Sequence, residues 1–344
     1  MSQRFRVGVT RDFLKPDGTI GFGDIGLRLL DEAPGVEWEF LAEDVRELTP
    51  EQAGAYDALL VLAPRVTAAT LEGVGRLAIV ARFGVGYDNV DLDACTSNGV
   101  LVTITPDGVR RPMASAIMAF VLALSMKMGI KDRLTRAGRW AERMDYMGMG
   151  LTGRALGLVG MGNIGREVLR LAAPFDMRHL VYDPYVSPSE IPALGAEPVD
   201  LETLLRQSDF VVVCCPLTPQ THHLIGAQQI AMMKRSAYLI NAARGPIVDQ
   251  QALTQALVEK RIQGAGLDVF EQEPIHPADP LLTLDNVIVA PHSLCWTDEC
   301  FLGNGTSAIR SILDVAAGRM PSYVVNRAVM ESEKLQQKLA RYRT

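Results

Sequence analysis

Cysteine is scarce in this 344-residue chain. There are five, Cys95, Cys214, Cys215, Cys295 and Cys300, odd in number and with no C-x-x-C pair. That usage suggests neither a disulfide framework nor a zinc knuckle, and a reducing, cytoplasmic setting is expected. A basic excess is missing too. Lys plus Arg total 34 against 40 for Asp plus Glu, a formal net charge of −6, which argues against a generally cationic surface for nucleic acid. No apolar run reaches the roughly 20 residues of a membrane span. The longest, Ala114 to Met126, stops at Lys127 and reads as a buried helix. The opening residues Met1-Ser2-Gln3-Arg4-Phe5-Arg6 enter a strand pattern without the apolar region of a signal peptide. Histidine is rare as well; the adjacent pair His222-His223 has no second cluster beside it, so no metal is expected. The partner these absences leave is a small molecule, not nucleic acid or a membrane.

What is present is ordinary globular material, 48% apolar and 22% charged. At roughly 150 residues per domain the length suggests two. Short runs rich in Val, Ile and Leu alternate with longer helical stretches. Candidate strands are Arg4–Thr10, Ala58–Leu62, Ile79–Phe83, Leu101–Ile104, Leu156–Val159, Leu180–Tyr182, Phe210–Cys214, Ala237–Asn241, Gly264–Leu267 and Val287–Val289. Several are apolar at nearly every position, as in parallel sheets covered on both faces. The fold class is therefore α/β, with right-handed crossovers. Thr105-Pro106-Asp107-Gly108 reads as a turn before an apolar helix over 113–130. A final helix is expected over roughly Asp298–Gly318, then a charged helical tail from Glu331.

The pattern G-x-G-x-x-G occurs twice. Gly21-Phe22-Gly23-Asp24-Ile25-Gly26 follows a turn and is read as a decoy. Gly160-Met161-Gly162-Asn163-Ile164-Gly165 directly follows an apolar strand and opens a helical stretch, which is the context a dinucleotide needs. Gly160 serves the tight turn, Gly162 the approach of backbone N–H groups to a pyrophosphate, and Gly165 the packing of helix on strand. Asp183, 18 residues past Gly165 at the end of the next strand, is placed to accept from ribose hydroxyls and to repel a 2′-phosphate, which favours NAD.

Further segments then line up. They are Gly84-Val85-Gly86-Tyr87-Asp88-Asn89-Val90-Asp91, Cys215-Pro216-Leu217-Thr218-Pro219-Gln220-Thr221, Asn241-Ala242-Ala243-Arg244-Gly245, Gly266-Leu267-Asp268-Val269-Phe270-Glu271-Gln272-Glu273-Pro274 and Ala290-Pro291-His292. Their order and spacing resemble the D-isomer-specific 2-hydroxyacid dehydrogenases from about residue 80 to 295, and Val324-Val325-Asn326 also fits. The resemblance implies two Rossmann- or flavodoxin-like domains with parallel sheets and an active site in the cleft between them. A discontinuous substrate domain would span 1–107 and 296–344, and an NAD-binding domain 108–295. The long helix would help form a homodimer.

Reducing a 2-oxo acid takes a hydride, a proton donor at the carbonyl oxygen, a cation for the carboxylate and exclusion of water. His292, just after a strand, is the candidate donor, and the resemblance pairs it with Glu273 in preference to Glu271. Arg244 can hold a carboxylate bidentately. By resemblance, Val85 and Gly86 offer backbone N–H groups to the substrate. Asp268 bonds the nicotinamide carboxamide, Cys215, Pro216 and Thr221 flank the adenosine, and Ala242, Ala243 and Arg244 line the nicotinamide, with His292 beside it. Arg110-Arg111 are candidates for a second anionic group on the substrate and Trp296 for a pocket wall. The chain ends 52 residues after His292, which leaves no room for the regulatory C-terminal domain of longer phosphoglycerate dehydrogenases. The expected activity is NAD-dependent interconversion of a small D-2-hydroxy acid and its 2-oxo acid. The rivals are a formate- or phosphite-type dehydrogenase and an NAD-sensing, corepressor-like binding protein.

Overall fold

The computed structural model describes residues 4–342. The chain divides into two compact units, Met1–Val109 with Trp296–Thr344, and Arg110–Cys295.

The first unit is built on a five-stranded sheet of β1 (Phe5–Val9), β2 (Val36–Phe40), β3 (Ala58–Val61), β4 (Ile79–Arg82) and β5 (Leu101–Thr103), in the order β2-β1-β3-β4-β5. Every pair is parallel, the doubly wound arrangement that helical crossovers on both faces produce. β3 is buried along its whole length. Leu59, Val61, Val80 and Val102 pack with Leu71 and Cys95 in a core that excludes water. β2 was not foreseen. Its Val-Glu-Trp-Glu-Phe alternates, with the two glutamates exposed, because it lies at a sheet edge. The returning chain is tied to the other edge. Asn326 Oδ1 accepts the Val102 N–H at 2.9 Å, its Nδ2 donates to Val100 O, and the Val325 N–H reaches Val102 O. The decoy glycine loop leads only into a four-residue helix, Arg28–Asp31, with no strand before it.

The second unit holds β6 (Ala155–Val159), β7 (Arg178–Tyr182), β8 (Glu197–Pro198), β9 (Phe210–Val213), β10 (Tyr238–Asn241), β11 (Gly264–Leu267) and β12 (Val287–Val289). They form one parallel sheet in the order β12-β11-β10-β9-β6-β7-β8. β6, β9, β10 and β11 are buried at every position, as their unbroken apolar runs require. The chain reverses direction across the sheet between β6 and β9, the switch point where parallel sheets leave a crevice for ligands.

The helix expected over 113–130 begins earlier and ends sooner. It runs Pro106–Ser125 with Pro112 inside it, so the presumed turn at 105–108 is its first turn. Proline at the first helical position loses no hydrogen bond, since that N–H has no partner in any helix. Lys127 takes the left-handed conformation, φ 54°, and a second helix, Met128–Arg136, restarts beyond it. By length and composition Pro106–Ser125 could cross a membrane, yet 67% of its most apolar window is buried, as in a core helix. The later helices run Asp298–Ala316 and Glu333–Ala340.

Glu167, on the helix Asn163–Ala172, is only 8% exposed and meets Arg170 at 2.6 Å and Arg111 at 2.9 Å. The Arg170 hydrogen bond, with Arg111 assisting, outweighs burial and holds its carboxyl down at about 2. Arg111 is thereby committed to a structural ion pair and not to a substrate anion. A depressed carboxylate contributes stability above its unfolded value of 4.5, and that contribution is lost as the pH falls toward about 2. Glu167→Gln should therefore lower the urea midpoint most at pH 6, and the gap to wild type should narrow at pH 3. A gap that stays constant with pH would contradict this.

Candidate active site

The strand ends of the second unit carry most of the chemistry. β6 is followed at once by Gly160, whose φ of +100° and tight surroundings exclude a side chain: a Cβ there would stand 2.7 Å from Cys215 N. The next turn brings the chain to Gly162, exposed and extended, which opens the helix Asn163–Ala172 with no side chain capping its first turn. Nothing lies within 4 Å of where a Gly162 Cβ would be. A helix N-terminus whose N–H groups face open space and whose dipole favours anions suits a pyrophosphate. Asn163, Ile164 and Gly165 are its first three residues.

Asp183 follows β7 immediately. Its Oδ2 accepts the Met161 N–H at 2.8 Å and its Oδ1 the Tyr185 N–H at 2.9 Å. It thus braces the glycine loop from the neighbouring strand, a role the sequence reading missed. Cys214 and Cys215 follow β9. Burial pushes their thiols up to about 12 and about 11, which leaves them protonated and unreactive. The Thr221 hydroxyl donates to Pro216 O and accepts from the Thr218 N–H, each at 2.7 Å, so it shapes the turn that carries Pro216.

At the end of β10, Asn241 is buried and holds the bend that follows. Its Oδ1 accepts the Ala243 N–H and its Nδ2 donates to Arg244 O. Ala242 and Ala243 lie in that bend, and Arg244 is presented beyond it, half-buried, with Nη1 on Ala243 O at 2.8 Å.

Beyond β12, His292 adopts a left-handed backbone, φ 53°, unusual for a residue with a side chain. Asp268, at the end of β11 and 1% exposed, holds it there. Its carbonyl accepts the His292 N–H at 2.8 Å, and its Oδ1 accepts the N–H groups of Ser293 and Leu294. Burial pushes the Asp268 carboxyl up; those two backbone donors and the charge of His292 oppose it. Asp268 Oδ2 is buried and has no donor among the described residues. So held, His292 meets Glu273, with Nδ1 to Oε2 at 2.7 Å. Glu273 Oε1 takes the Phe270 N–H at 3.0 Å. Burial raises the Glu273 carboxyl, but the His292 hydrogen bond, the Phe270 N–H and the charges of His292 and Arg244 outweigh it and leave it below the usual carboxylate range. Glu271 faces another partner, His223 Nε2, at 2.7 Å.

NAD fits these residues. The bare glycine turn can take the pyrophosphate, the Asp183 carboxylate stands at the strand end where a ribose is read, and the orphaned Asp268 Oδ2 is an acceptor of the kind a carboxamide N–H₂ satisfies. His292, Glu273 and Arg244 therefore share one unit with the dinucleotide loop. Val85 and Gly86 belong to the other unit, after β4. There Gly84 is gripped by Thr105, whose Oγ1 accepts the Gly84 N–H at 2.8 Å and donates to Asn304 Oδ1 at 2.7 Å. The N–H groups of Val85 and Gly86 take no acceptor among the described residues. Trp296 packs edge-on against Phe22 and Phe301 in an aromatic cluster of that unit and is half-exposed. Among the described residues no group of three or more His, Cys, Asp or Glu is arranged to hold a metal ion.

Comparison with known proteins agrees across most of the chain. The family model for the NAD-binding domain of D-isomer-specific 2-hydroxyacid dehydrogenases matches residues 118–293. A glyoxylate reductase of Korarchaeum cryptofilum is 40% identical over 298 residues, 86% of this chain and 90% of its own. A D-3-phosphoglycerate dehydrogenase of Methanocaldococcus jannaschii is 37% identical over 309 residues, 89% of this chain but 57% of its own. Among solved structures, the TT0316 protein of Thermus thermophilus superposes with a TM-score of 0.82 at 32% identity, covering 93% of this chain and all of that one.

Asp183→Ala should weaken NADH binding and raise the NADPH-to-NADH affinity ratio on the order of tenfold, because a like charge facing the 2′-phosphate is removed. Fluorescence titration of both coenzymes checks it; an unchanged ratio would show that the ribose is read elsewhere.

Proposed function

Because the chain belongs to the D-isomer-specific 2-hydroxyacid dehydrogenase family, we propose how its own residues carry out the NAD-dependent interconversion of 2-hydroxy and 2-oxo acids, and on what. Bound NADH supplies the hydride. The observation that carries the assignment of roles is the 2.7 Å contact between His292 and Glu273. A carboxylate at that distance demands a proton on Nδ1, so Nε2 is the nitrogen that gives a proton to a carbonyl oxygen, or takes one from a hydroxyl. In the oxidative direction the ring must be neutral, so oxidation should favour higher pH than reduction.

Arg244 holds the substrate carboxylate and polarises the adjacent carbonyl. Its backbone is held by Asn241, and its guanidinium is held on Ala243 O, which restricts the side chain before substrate arrives. The substrate we favour is a small 2-oxo acid of glyoxylate size, a reading supported by the glyoxylate reductase of K. cryptofilum. We also propose a homodimer. Met126, Met128, Trp140, Met144 and Met147 expose large apolar side chains over one short stretch, and exposed clusters of that kind mark association surfaces. The five free thiols, with two of them adjacent, support a reducing cytoplasmic setting.

His292→Gln should cost on the order of 10²–10⁴ in turnover with NADH binding nearly unchanged. NADH oxidation over a panel of 2-oxo acids measures it. Turnover within a few-fold of wild type would remove His292 from the chemistry, and no turnover by wild type on any oxo acid would favour a sensor over an enzyme. Sedimentation equilibrium should return twice the chain mass of 37.5 kDa; a single-chain mass would reject the dimer.

A further inference from the structure

The helix Glu333–Ala340 crosses the first unit beside the amino ends of β4 and β5, the edge opposite the Val85–Gly86 loop. It lies close: a Cβ on Gly99 would stand 2.7 Å from Lys334 Cβ and 2.8 Å from Leu335 N. Lys334, Lys338 and Arg341 recur at i, i+4 and i+7 and so share one face. Lys338 is 4% exposed. Its ammonium spends its three hydrogens on the carbonyls of Leu77 at 2.6 Å, Asn98 at 2.7 Å and Gly99 at 3.2 Å. Among the described residues no carboxylate pairs with it. A buried cation without a counter-charge is costly even when its donors are satisfied, and here two further cations stand beside it. Burial, then the charges of Arg341 and Lys334, pull its ammonium down to about 8.

Next to this cluster is an open cavity of about 240 Å³ lined by Gly73, Gly75, Asn98, Gln337 and the three basic residues. At roughly 30 Å³ per water it holds about eight waters' worth of space, enough for a phosphate bearing a small organic group. Glu72 and Glu333, the carboxylates nearest in sequence, do not line it. Several donors around it are uncommitted. The N–H groups of Gly73 and Gly75 take no acceptor among the described residues, and no atom lies within 4 Å of where either Cβ would be, so their backbone can be approached closely. The side chains of Gln337 and Arg341 likewise make no hydrogen bond among the described residues, whereas Lys334 Nζ donates to Ser97 O.

We propose that this cavity is an anion site for a phosphate group, distinct from the dinucleotide loop and from Arg244. The Arg341 fork, the two glycine N–H groups and the Gln337 carboxamide would supply its hydrogen bonds, and Lys334 and Lys338 would supply charge. A bound dianion would give the buried Lys338 a counter-charge that no described residue supplies. The phosphate can come as the free ion or as a small monoester, and the two are separable by titration.

The test is calorimetric titration of inorganic phosphate, and in parallel glycerol phosphate, into protein saturated with NADH at constant ionic strength, so that the dinucleotide site is filled. One phosphate per chain is expected. Arg341→Ala and Lys334→Ala, both at exposed positions, should each weaken it about tenfold, as loss of a cationic group beside the anion does, and Arg341→Lys should retain most of the affinity. Tighter binding of glycerol phosphate identifies a monoester site, and equal or weaker binding a site for the free ion. No binding, or the same affinity in wild type and both alanine variants, would overturn the proposal and leave Lys338 a structural clamp.

Discussion

A carboxylate oxygen of Glu273 stands 2.7 Å from Nδ1 of His292, and the proposed chemistry depends on that contact. Imidazole has two nitrogens and can present only one of them as its working face. An ionised acceptor on Nδ1 decides the matter by keeping a proton there. The contact in turn depends on backbone geometry that His292 would not adopt alone. Left-handed φ costs a side-chain-bearing residue on the order of 1 kcal/mol or more, and Asp268 offsets it with three hydrogen bonds, one through its carbonyl and two through Oδ1. Two acids of different character thus serve one base. Glu273 is half-exposed and held ionised by its cationic neighbours. Asp268 is buried and acts through the backbone it fixes.

The same sheet explains why these groups converge. β6, β9, β10, β11 and β12 are parallel and adjacent in the order β12-β11-β10-β9-β6, so their carboxyl ends lie along one edge. Each end delivers one component in turn: Gly160, Cys215, Arg244, Asp268 and His292. Residues separated by more than a hundred positions become neighbours because the strands that carry them are neighbours. The buried strands are the rigid part, and the loops carry the chemistry.

Much of this was legible in the amino-acid order because buried parallel strands are written as uninterrupted apolar runs, and because Gly160, Gly162 and Gly165 sit between such a strand and a helix. The parts that escaped have physical reasons. β2 alternates Val-Glu-Trp-Glu-Phe as an edge strand must, which a search for fully apolar runs passes over. The helix break at Lys127 is a backbone event at a residue with no helix-breaking chemistry. Glu271 and Glu273 are two residues apart and chemically alike; the resemblance singled out Glu273 for His292, while the pairing of Glu271 with His223 came only with the fold. The grip of Thr105 and Asn304 on Gly84 joins residues about 200 positions apart in the chain, and no local pattern announces it. Arg111 looked free beside Arg110 until the helix Asn163–Ala172 placed Glu167 against it.

The nitrogen that holds the proton in neutral His292 is the quantity on which the account turns, and ¹⁵N NMR of the five histidine side chains reads it directly. With the His292 signals assigned by their loss in a His292 variant, the account predicts a protonated, pyrrole-type Nδ1 and a bare, pyridine-type Nε2 once the ring is neutral, and a shift toward the free-histidine pattern when Glu273 is replaced by Gln. A protonated Nε2 in the wild-type protein, or a pattern that Glu273→Gln leaves untouched, would contradict it.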